Sequence, residues 1–331
     1  MRIHLHNPPD ETLFALTEAQ WRAAAARHAD LAQGHDVTFG ADDASFARAM
    51  ETAEALICDP AVILAQRPAD RRPLAAPHLR LVLATSAGLD RLAPFDWLPP
   101  GAALLNNRGT HAAKAGEFAL MAILMLASNI PAMVTDQREG RWRKRWGHVL
   151  AGRRLTVIGL GSLGGATAAL AARHGMVVTG MRARPAPHPA CARVIGPEGL
   201  DAALAETDCL VIACPLTEAT RNLLGRDRLA RLPKGAGLVN IGRGAVLDQE
   251  ALCDLLDAGH LSGAVLDVFD PEPLPEGHRL WRTPNVIISP HTSADDPDTY
   301  NAISLDIFFA NLRALRDGQA PPNRFDPIRG Y

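Results

Sequence analysis

Three features that mark other classes of protein are missing from this sequence. Its five cysteines form no C-x-x-C pair and have no metal-ligand spacing. Cys209 and Cys214 lie at the two ends of an apolar run, which indicates a buried strand with reduced thiols. Neither sign of charge predominates, since 34 basic residues oppose 36 acidic ones, so nothing indicates binding to nucleic acid or to membranes. The N-terminus lacks a signal-peptide core, and the longest apolar run, 118–127, falls short of the roughly 20 residues that span a bilayer. We therefore expect a cytoplasmic protein with no disulfide and no bound metal.

Apolar side chains are abundant, at 47% of the 331 residues, and this length favours two domains. From residue 154 onward, short apolar runs alternate with helical stretches, which is typical of a parallel, doubly wound α/β sheet. The predicted strands are RLTVIG (154–159), MVVTGM (176–181), CLVIAC (209–214), GLVNIG (237–242), GAVLDVF (263–269) and NVIISP (285–290). Strand candidates at 55–59, 80–86 and 103–107 predict a second, smaller α/β unit, and residues 298–317 have an amphipathic helical pattern.

A glycine-rich turn follows the first of these strands and precedes a helical stretch. Gly159, Gly161 and Gly164 fit the pattern G-x-G-x-x-G, with Ser162 and Leu163 before the last glycine. In such a turn the first glycine permits the bend, the second lets a pyrophosphate approach the backbone, and the third packs the helix against the strand. The helix N-terminus then offers free N–H groups to the phosphates. This context predicts a dinucleotide site.

The residues after the second strand bear on the choice of cofactor. A site that prefers NAD usually has Asp or Glu there to bind the ribose hydroxyls, whereas this sequence has Arg182 and Arg184. Guanidinium groups can bind a 2′-phosphate in forked geometry. We expect NADP to be preferred and NAD to remain possible; the alternative is that both arginines are solvated surface residues.

Three polar residues each lie just beyond a predicted strand: Arg243, Glu272 and His291. Open α/β sheets bind ligands at the carboxyl ends of their strands. Reduction of a 2-keto acid requires these three types of group. An arginine binds the carboxylate and polarises the carbonyl, a histidine donates a proton to the developing alkoxide, and a carboxylate orients the imidazole. The prolines on both sides of Glu272 and before His291 restrict the backbone, so we expect fixed side-chain positions.

At these motifs the sequence resembles the D-isomer-specific 2-hydroxyacid dehydrogenase family. The resemblance is carried by VIGLGSLG (157–164), CPLTEATRNLLG (214–225), LVNIGRGAVLD (238–248), GAVLDVFDPEPLP (263–275) and NVIISPHTS (285–293). It implies that Arg243 binds substrate, that His291 is the acid/base paired with Glu272, and that the product is a D-2-hydroxyacid. Asp267 matches the family's acidic residue near the nicotinamide amide, and a structural role for it is the alternative. The arginines after the second strand resemble the glyoxylate/hydroxypyruvate reductase branch.

The expected cofactor contacts are Gly159, Gly161, Ser162, Leu163, Gly164, Arg182, Arg184, Cys214, Pro215, Thr220, Ile241, Gly242 and Asp267. The resemblance also implies a substrate domain formed by 1–105 and 296–331, a dinucleotide-binding Rossmann domain at 106–295, and an active site in the cleft between these two Rossmann-like or flavodoxin-like domains. Ser86, Ala87 and Gly88 match the turn whose N–H groups hold the substrate carboxylate; a plain turn at a strand end is the alternative. The resemblance further implies a homodimer through the cofactor domains. GRWRKRW (140–146) could form part of its interface or reach the neighbouring site, and a solvated helix end is the alternative.

Two departures from the family pattern leave alternatives open. Lys114 and Glu117 are unfamiliar in their segment, and His111 and Lys114 could touch an anionic substrate or cap a helix. Glu272 takes the place of the Gln of formate dehydrogenases, which argues against formate as a substrate. A dinucleotide-sensing corepressor-like protein would share the fold, but this sequence has no long disordered tail. A dehydrogenase of a larger hydroxyacid is the other alternative, although the chain is short for the regulatory domain of many phosphoglycerate dehydrogenases.

Overall fold

The computed structural model describes residues 1–327, which form two compact units. One unit contains Met1–His111 and the described residues from Asp296 onward, and the other is Ala112–Asp295. The first division lies after His111 rather than after the predicted residue 105, because Asn107 is tied to the first unit. Its backbone N–H donates to the Ser86 carbonyl, and its side-chain amide donates to the Ser304 hydroxyl. Of the predicted second segment, 296–331, residues 328–331 lie outside the described part.

The first unit is a five-stranded parallel sheet in the order β2-β1-β3-β4-β5, covered by helices. Its strands are β1 (Arg2–His6), β2 (Asp36–Gly40), β3 (Ala55–Cys58), β4 (Leu81–Ala84) and β5 (Ala103–Leu105). Its helices are α1 (Glu18–Arg27), α2 (Ala29–Ala32), α3 (Asp43–Met50), α4 (Pro60–Gln66) and, at the end of the described chain, α11 (Tyr300–Arg316). This strand order is that of flavodoxin-like folds.

The second unit is a seven-stranded parallel sheet in the order β12-β11-β10-β9-β6-β7-β8. Its strands are β6 (Arg154–Ile158), β7 (Val177–Met181), β8 (Arg193–Ile195), β9 (Cys209–Ile212), β10 (Gly237–Asn240), β11 (Gly263–Leu266) and β12 (Val286–Ile288). Its helices are α5 (Ala112–Ala127), α6 (Ile130–Arg138), α7 (Ser162–Arg173), α8 (Leu200–Leu204), α9 (Arg226–Leu229) and α10 (Gln249–Asp257). The order in which the strands were added reverses between β6 and β9, which are parallel neighbours, and this is the switch point where doubly wound folds bind ligands.

The predicted fold class is therefore confirmed, and every strand predicted from an apolar run is present. Strands β9, β10 and β11 are buried at every residue because helices cover both faces of the sheet. Three strands escaped prediction. β1 contains His4 and His6, which are polar by type but only 2% and 3% exposed; β2 is half-exposed, and β8 has three residues.

Within the described residues, no single helix is long and apolar enough to cross a membrane, although α5 and α6, bent by 66°, would pass on length and composition if taken together.

Candidate active site

The glycine turn lies between β6 and α7, as the motif predicts. Gly159 has a φ of +92°, which a side chain would strain, and a Cβ there would lie 2.7 Å from the Cys214 backbone. A Cβ on Gly164 would lie 1.8 Å from the Gly159 carbonyl oxygen, so that glycine packs the helix directly on the strand. Gly161, by contrast, precedes an N-terminus with no side-chain cap, and a Cβ there would meet nothing within 4 Å. The space and the uncapped N–H groups fit a dinucleotide phosphate at this turn.

The two arginines after β7 have different surroundings. Arg182 is half-buried and its guanidinium donates to the Leu160 carbonyl, in the middle of the glycine turn, at 3.1 Å. Arg184 is exposed. Of the two, Arg182 is therefore the one held against the predicted dinucleotide turn.

Five of the other predicted cofactor residues lie after β9, which is next to β6 in the sheet, or after β10, which is next to β9. A Cβ on Gly242 would be 2.8 Å from the Cys214 carbonyl oxygen, so the two strand-end loops touch. The Thr220 hydroxyl donates to the Pro215 carbonyl at 2.8 Å and folds the loop after β9. Burial raises the pKa of Cys214 to about 11, so its thiol is neutral at physiological pH. Ile241 is buried at 3% exposure, and Ser162 and Leu163 are half-buried in the first turn of α7.

His291 and Glu272 form a hydrogen-bonded pair. His291 Nδ1 lies 2.8 Å from Glu272 Oε2, and the other carboxylate oxygen accepts the Phe269 N–H at 2.9 Å. Side-chain exposure is 43% for His291 and 21% for Glu272, so the imidazole is open to solvent while its partner is more enclosed. His291 itself adopts a φ of +57°, an uncommon conformation for a residue with a side chain. The carboxylate fixes which ring nitrogen stays bound to the protein and leaves Nε2 for a reacting group.

Arg243 follows β10, the strand beside β11 in the sheet. Its guanidinium donates to the Gly242 carbonyl at 2.8 Å. The loop that carries it is closed by Asn240, a completely buried amide that sequence reasoning missed. The Asn240 side chain donates to the Arg243 carbonyl at 3.1 Å and accepts the Gly242 N–H at 3.1 Å. A polar residue within the apolar run GLVNIG was the signal for this role.

Asp267 supports the loop that carries His291. It is 1% exposed, and its Oδ1 accepts the N–H groups of Thr292 at 3.0 Å and Ser293 at 3.1 Å, as well as the Ser289 hydroxyl. Its Oδ2 accepts the Ser293 hydroxyl at 2.5 Å. Four donors on one buried carboxylate give Asp267 a structural role on both sides of His291. Ser289 and Ser293 were not foreseen, because two small polar residues around a histidine carry no recognisable motif.

Strand order explains why these residues share one edge. Arg243 follows β10, Glu272 follows β11 and His291 follows β12, and these three parallel strands are neighbours. Their carboxyl ends therefore lie at the same edge as the glycine turn after β6. An arginine, a paired histidine and a dinucleotide turn at one edge can together bind an anion, exchange a proton and hold a redox cofactor.

The turn predicted to bind a carboxylate lies in the other unit, after β4. The Ser86 hydroxyl donates to the Gly88 carbonyl at 3.0 Å, and Asn106 donates to the Ala87 carbonyl at 3.1 Å, so the turn is held from both sides. His111 is in ring contact with Tyr300, with centroids 5.3 Å apart.

Lys114 is exposed on the first turn of α5.

Comparison with known proteins identifies the family. The profile of the D-isomer specific 2-hydroxyacid dehydrogenase NAD binding domain matches residues 120–293, which is more than half of the chain. The chain belongs to this family. The 2-hydroxyacid dehydrogenase family comprises NAD(P)-dependent oxidoreductases, so the chain is an enzyme of that class.

Relatives of this dehydrogenase match about four fifths of the chain, and a solved structure of a similar protein matches almost all of it. A glyoxylate reductase of Korarchaeum cryptofilum is 31% identical over 278 residues, which are 80% of this chain and 82% of the relative. A glyoxylate/hydroxypyruvate reductase A of Serratia proteamaculans is 32% identical over 260 residues, covering 77% and 82% of the two chains. The structure of a D-isomer specific 2-hydroxyacid dehydrogenase from Xanthobacter autotrophicus Py2, in complex with NADPH and MES, superimposes with a TM-score of 0.80 at 30% identity and covers 99% of both chains.

Proposed function

We propose that this dehydrogenase reduces a small 2-keto acid, of the glyoxylate or hydroxypyruvate type, to the D-2-hydroxyacid with NADPH. The observation that carries the proposal is the 2.8 Å contact between His291 Nδ1 and Glu272 Oε2 at the same sheet edge as the glycine turn. The glyoxylate reductase and glyoxylate/hydroxypyruvate reductase relatives support the substrate class.

His291 and Glu272 would handle the proton. Because Glu272 engages Nδ1, the proton that moves in the reaction is the one on Nε2, which passes to the substrate oxygen as the keto acid becomes a hydroxyacid. Glu272 holds the ring orientation through the reaction, and its second oxygen stays fixed by the Phe269 N–H. Asp267 keeps the His291 loop in place.

Arg243 would bind the carboxylate of the keto acid and polarise its carbonyl. Asn240 positions this arginine by closing the loop on which it lies. The turn Ser86, Ala87 and Gly88 belongs to the other unit, and its role in binding a substrate carboxylate through backbone N–H groups remains a prediction. The unit 112–295 would thus carry the dinucleotide turn together with Arg243, Glu272 and His291.

The glycine turn would hold the dinucleotide, which supplies the hydride when it is bound. Gly161 leaves room for the diphosphate, and the uncapped N-terminus of α7 offers it N–H groups. Arg182, held over the turn, and the exposed Arg184 would bind the 2′-phosphate that distinguishes NADPH from NADH. The Xanthobacter relative, whose structure contains NADPH, supports this preference.

Kinetics of two variants test these roles. We expect His291→Ala to lose most turnover while its affinity for NADPH changes little, since the imidazole handles the substrate proton and not the dinucleotide. We expect Arg243→Ala mainly to raise KM for the keto acid. His174→Ala, at the exposed far end of α7, is the matched control. Full turnover of His291→Ala, or an unchanged KM in Arg243→Ala, would contradict the assignment.

The proposal includes a homodimer formed through the cofactor unit. Trp142 and Trp146 are 95% and 82% exposed, and Leu124 on α5 is 43% exposed. Large apolar side chains that are exposed to this degree are typical of interaction surfaces. The segment with the two tryptophans is anchored, since Arg145 Nε donates to the buried carboxylate of Asp136 at 2.6 Å. A cytoplasmic location remains a prediction.

Sedimentation velocity tests the dimer. We expect a dimer that is weakened when Trp142 and Trp146 are both replaced by Ser, and a control replacement of Trp281, which is 47% exposed, should leave the dimer intact. A monomeric parent protein would contradict this part of the proposal.

A further inference from the structure

A histidine that sequence reasoning passed over lies beside the predicted dinucleotide turn. The segment 182–192 joins β7 to the edge strand β8 and returns over the first turn of α7. There the His188 ring covers Gly165, with Nε2 only 3.3 Å from the position that a Cβ on Gly165 would take. The absence of a side chain at Gly165 thus makes room for the imidazole at the start of the helix.

The hydrogen bonds of His188 determine which nitrogen can donate. Nδ1 accepts the Ala190 N–H at 3.3 Å and lies 3.8 Å from the Cys191 thiol. An Nδ1 that accepts carries no proton, so the proton of the neutral ring is on Nε2. Within the described chain, Nε2 has no hydrogen-bond partner. A donor therefore points at the first turn of α7.

Arg182 belongs to the same neighbourhood. Burial raises the pKa of the Cys191 thiol, which adjoins His188, and the positive charge of Arg182 opposes that rise. Arg182 also donates to the Leu160 carbonyl in the glycine turn. Since Arg182 directly follows β7, this cluster lies where a Rossmann fold binds the adenosine ribose.

We propose that His188 donates a hydrogen bond from Nε2 to the 2′-phosphate of NADPH and so acts with Arg182 to select NADPH over NADH. The inference rests on the proposed dinucleotide site and adds an imidazole N–H donor to its arginines. An imidazole N–H and a guanidinium suit a phosphate that carries more than one negative charge, because together they offer several donors from different directions. NADH has a ribose hydroxyl at this place and would gain little from either.

Calorimetric titration of the whole chain tests the assignment without turnover. The ligands are NADPH, NADH and adenosine 2′,5′-bisphosphate, which has the 2′-phosphate but no nicotinamide. For His188→Leu we expect the Kd values of NADPH and the bisphosphate to rise about tenfold, as for a lost hydrogen bond to a charged group, while the Kd of NADH changes less than about twofold. His188→Gln, whose amide can still donate, should recover most of the loss.

A matched control and the thermal midpoint guard against a general effect on the fold. His174→Leu alters an exposed histidine at the other end of α7 and should leave all three affinities unchanged. An unchanged Kd for NADPH in His188→Leu, or an equal loss for NADPH and NADH, would overturn the assignment while leaving the dinucleotide site in place. A parent chain that binds neither dinucleotide would overturn the site and this inference together.

Discussion

Two glycines of one turn should respond to the same substitution in opposite ways. Gly161→Ala adds a methyl group where nothing lies within 4 Å, at an extended residue with a φ of −76° that alanine readily adopts. Gly164→Ala adds the same methyl group 1.8 Å from the Gly159 carbonyl oxygen and 3.0 Å from Val157 Cγ1. Only the second substitution collides with the protein itself. The first collides with whatever the turn binds.

The expected magnitudes follow from these contacts. For Gly161→Ala, alanine is a poorer N-cap than glycine but restricts the unfolded chain, so the free energy of unfolding should change by less than about 1 kcal/mol. Displacing a diphosphate from two helix N–H groups should weaken dinucleotide binding by about 3 kcal/mol, roughly a hundredfold in Kd. For Gly164→Ala the helix must move away from the strand, which should cost about 3 kcal/mol or more of stability.

Urea unfolding and fluorescence titration with NADPH, both on the two variants and the parent, measure these quantities. The two variants should differ in which quantity changes. Gly161→Ala should bind NADPH more weakly while keeping its free energy of unfolding, and Gly164→Ala should have a lower free energy of unfolding. If Gly161→Ala bound NADPH as tightly as the parent, the open space at this turn would not be the cofactor site.

Three further predictions concern single residues. Asp267→Asn removes a charge that four donors surround, so the free energy of unfolding should fall by about 2–4 kcal/mol and kcat should fall with it; normal values of both would exclude the anchoring role. Arg182→Asp should lower the ratio of kcat/KM for NADPH to that for NADH about tenfold or more, and an unchanged ratio would place Arg182 outside the cofactor site. Burial, with a smaller contribution from nearby His6, lowers the pKa of His4 to about 4. Between pH 6.5 and 4, His4 is therefore protonated in the unfolded chain but not in the folded chain. The free energy of unfolding should therefore fall by up to about 3 kcal/mol as the pH drops through this range. In urea unfolding, the free energy of His4→Leu should depend less steeply on pH than that of the parent. The same pH dependence in both proteins would contradict this explanation.

The central part of the fold could be predicted because its packing leaves a continuous pattern in the sequence. Strands β9 to β11 are covered on both faces, and this leaves continuous apolar runs in the sequence. The glycine turn could be predicted as well, because Gly159 and Gly164 lie so close to neighbouring backbone atoms that a side chain would collide with them. β1 was hidden because the burial of His4 and His6 depends on a mutual contact of 3.0 Å and on Thr38 from another strand.

At the candidate site, too, the residues that escaped prediction depend on contacts between distant parts of the chain. Residues that follow strands could be predicted to share an edge, because parallel strands end together. The residues that hold them in place could not, because the partners of Asp267 are 22 to 26 positions away along the chain. His188 contacts Gly165, which is a similar number of positions away along the chain, and no periodic pattern in the sequence indicates such a contact.

The most direct test of the proposed reaction is the oxidation of NADPH and of NADH, measured separately, with glyoxylate, hydroxypyruvate, pyruvate and phenylpyruvate as substrates. We expect rapid turnover of glyoxylate or hydroxypyruvate with NADPH, slower turnover with NADH, and the D-isomer as the product of hydroxypyruvate. Tight binding of NADPH without turnover of any of the four would contradict the proposal and point to a larger hydroxyacid or to a dinucleotide-sensing protein.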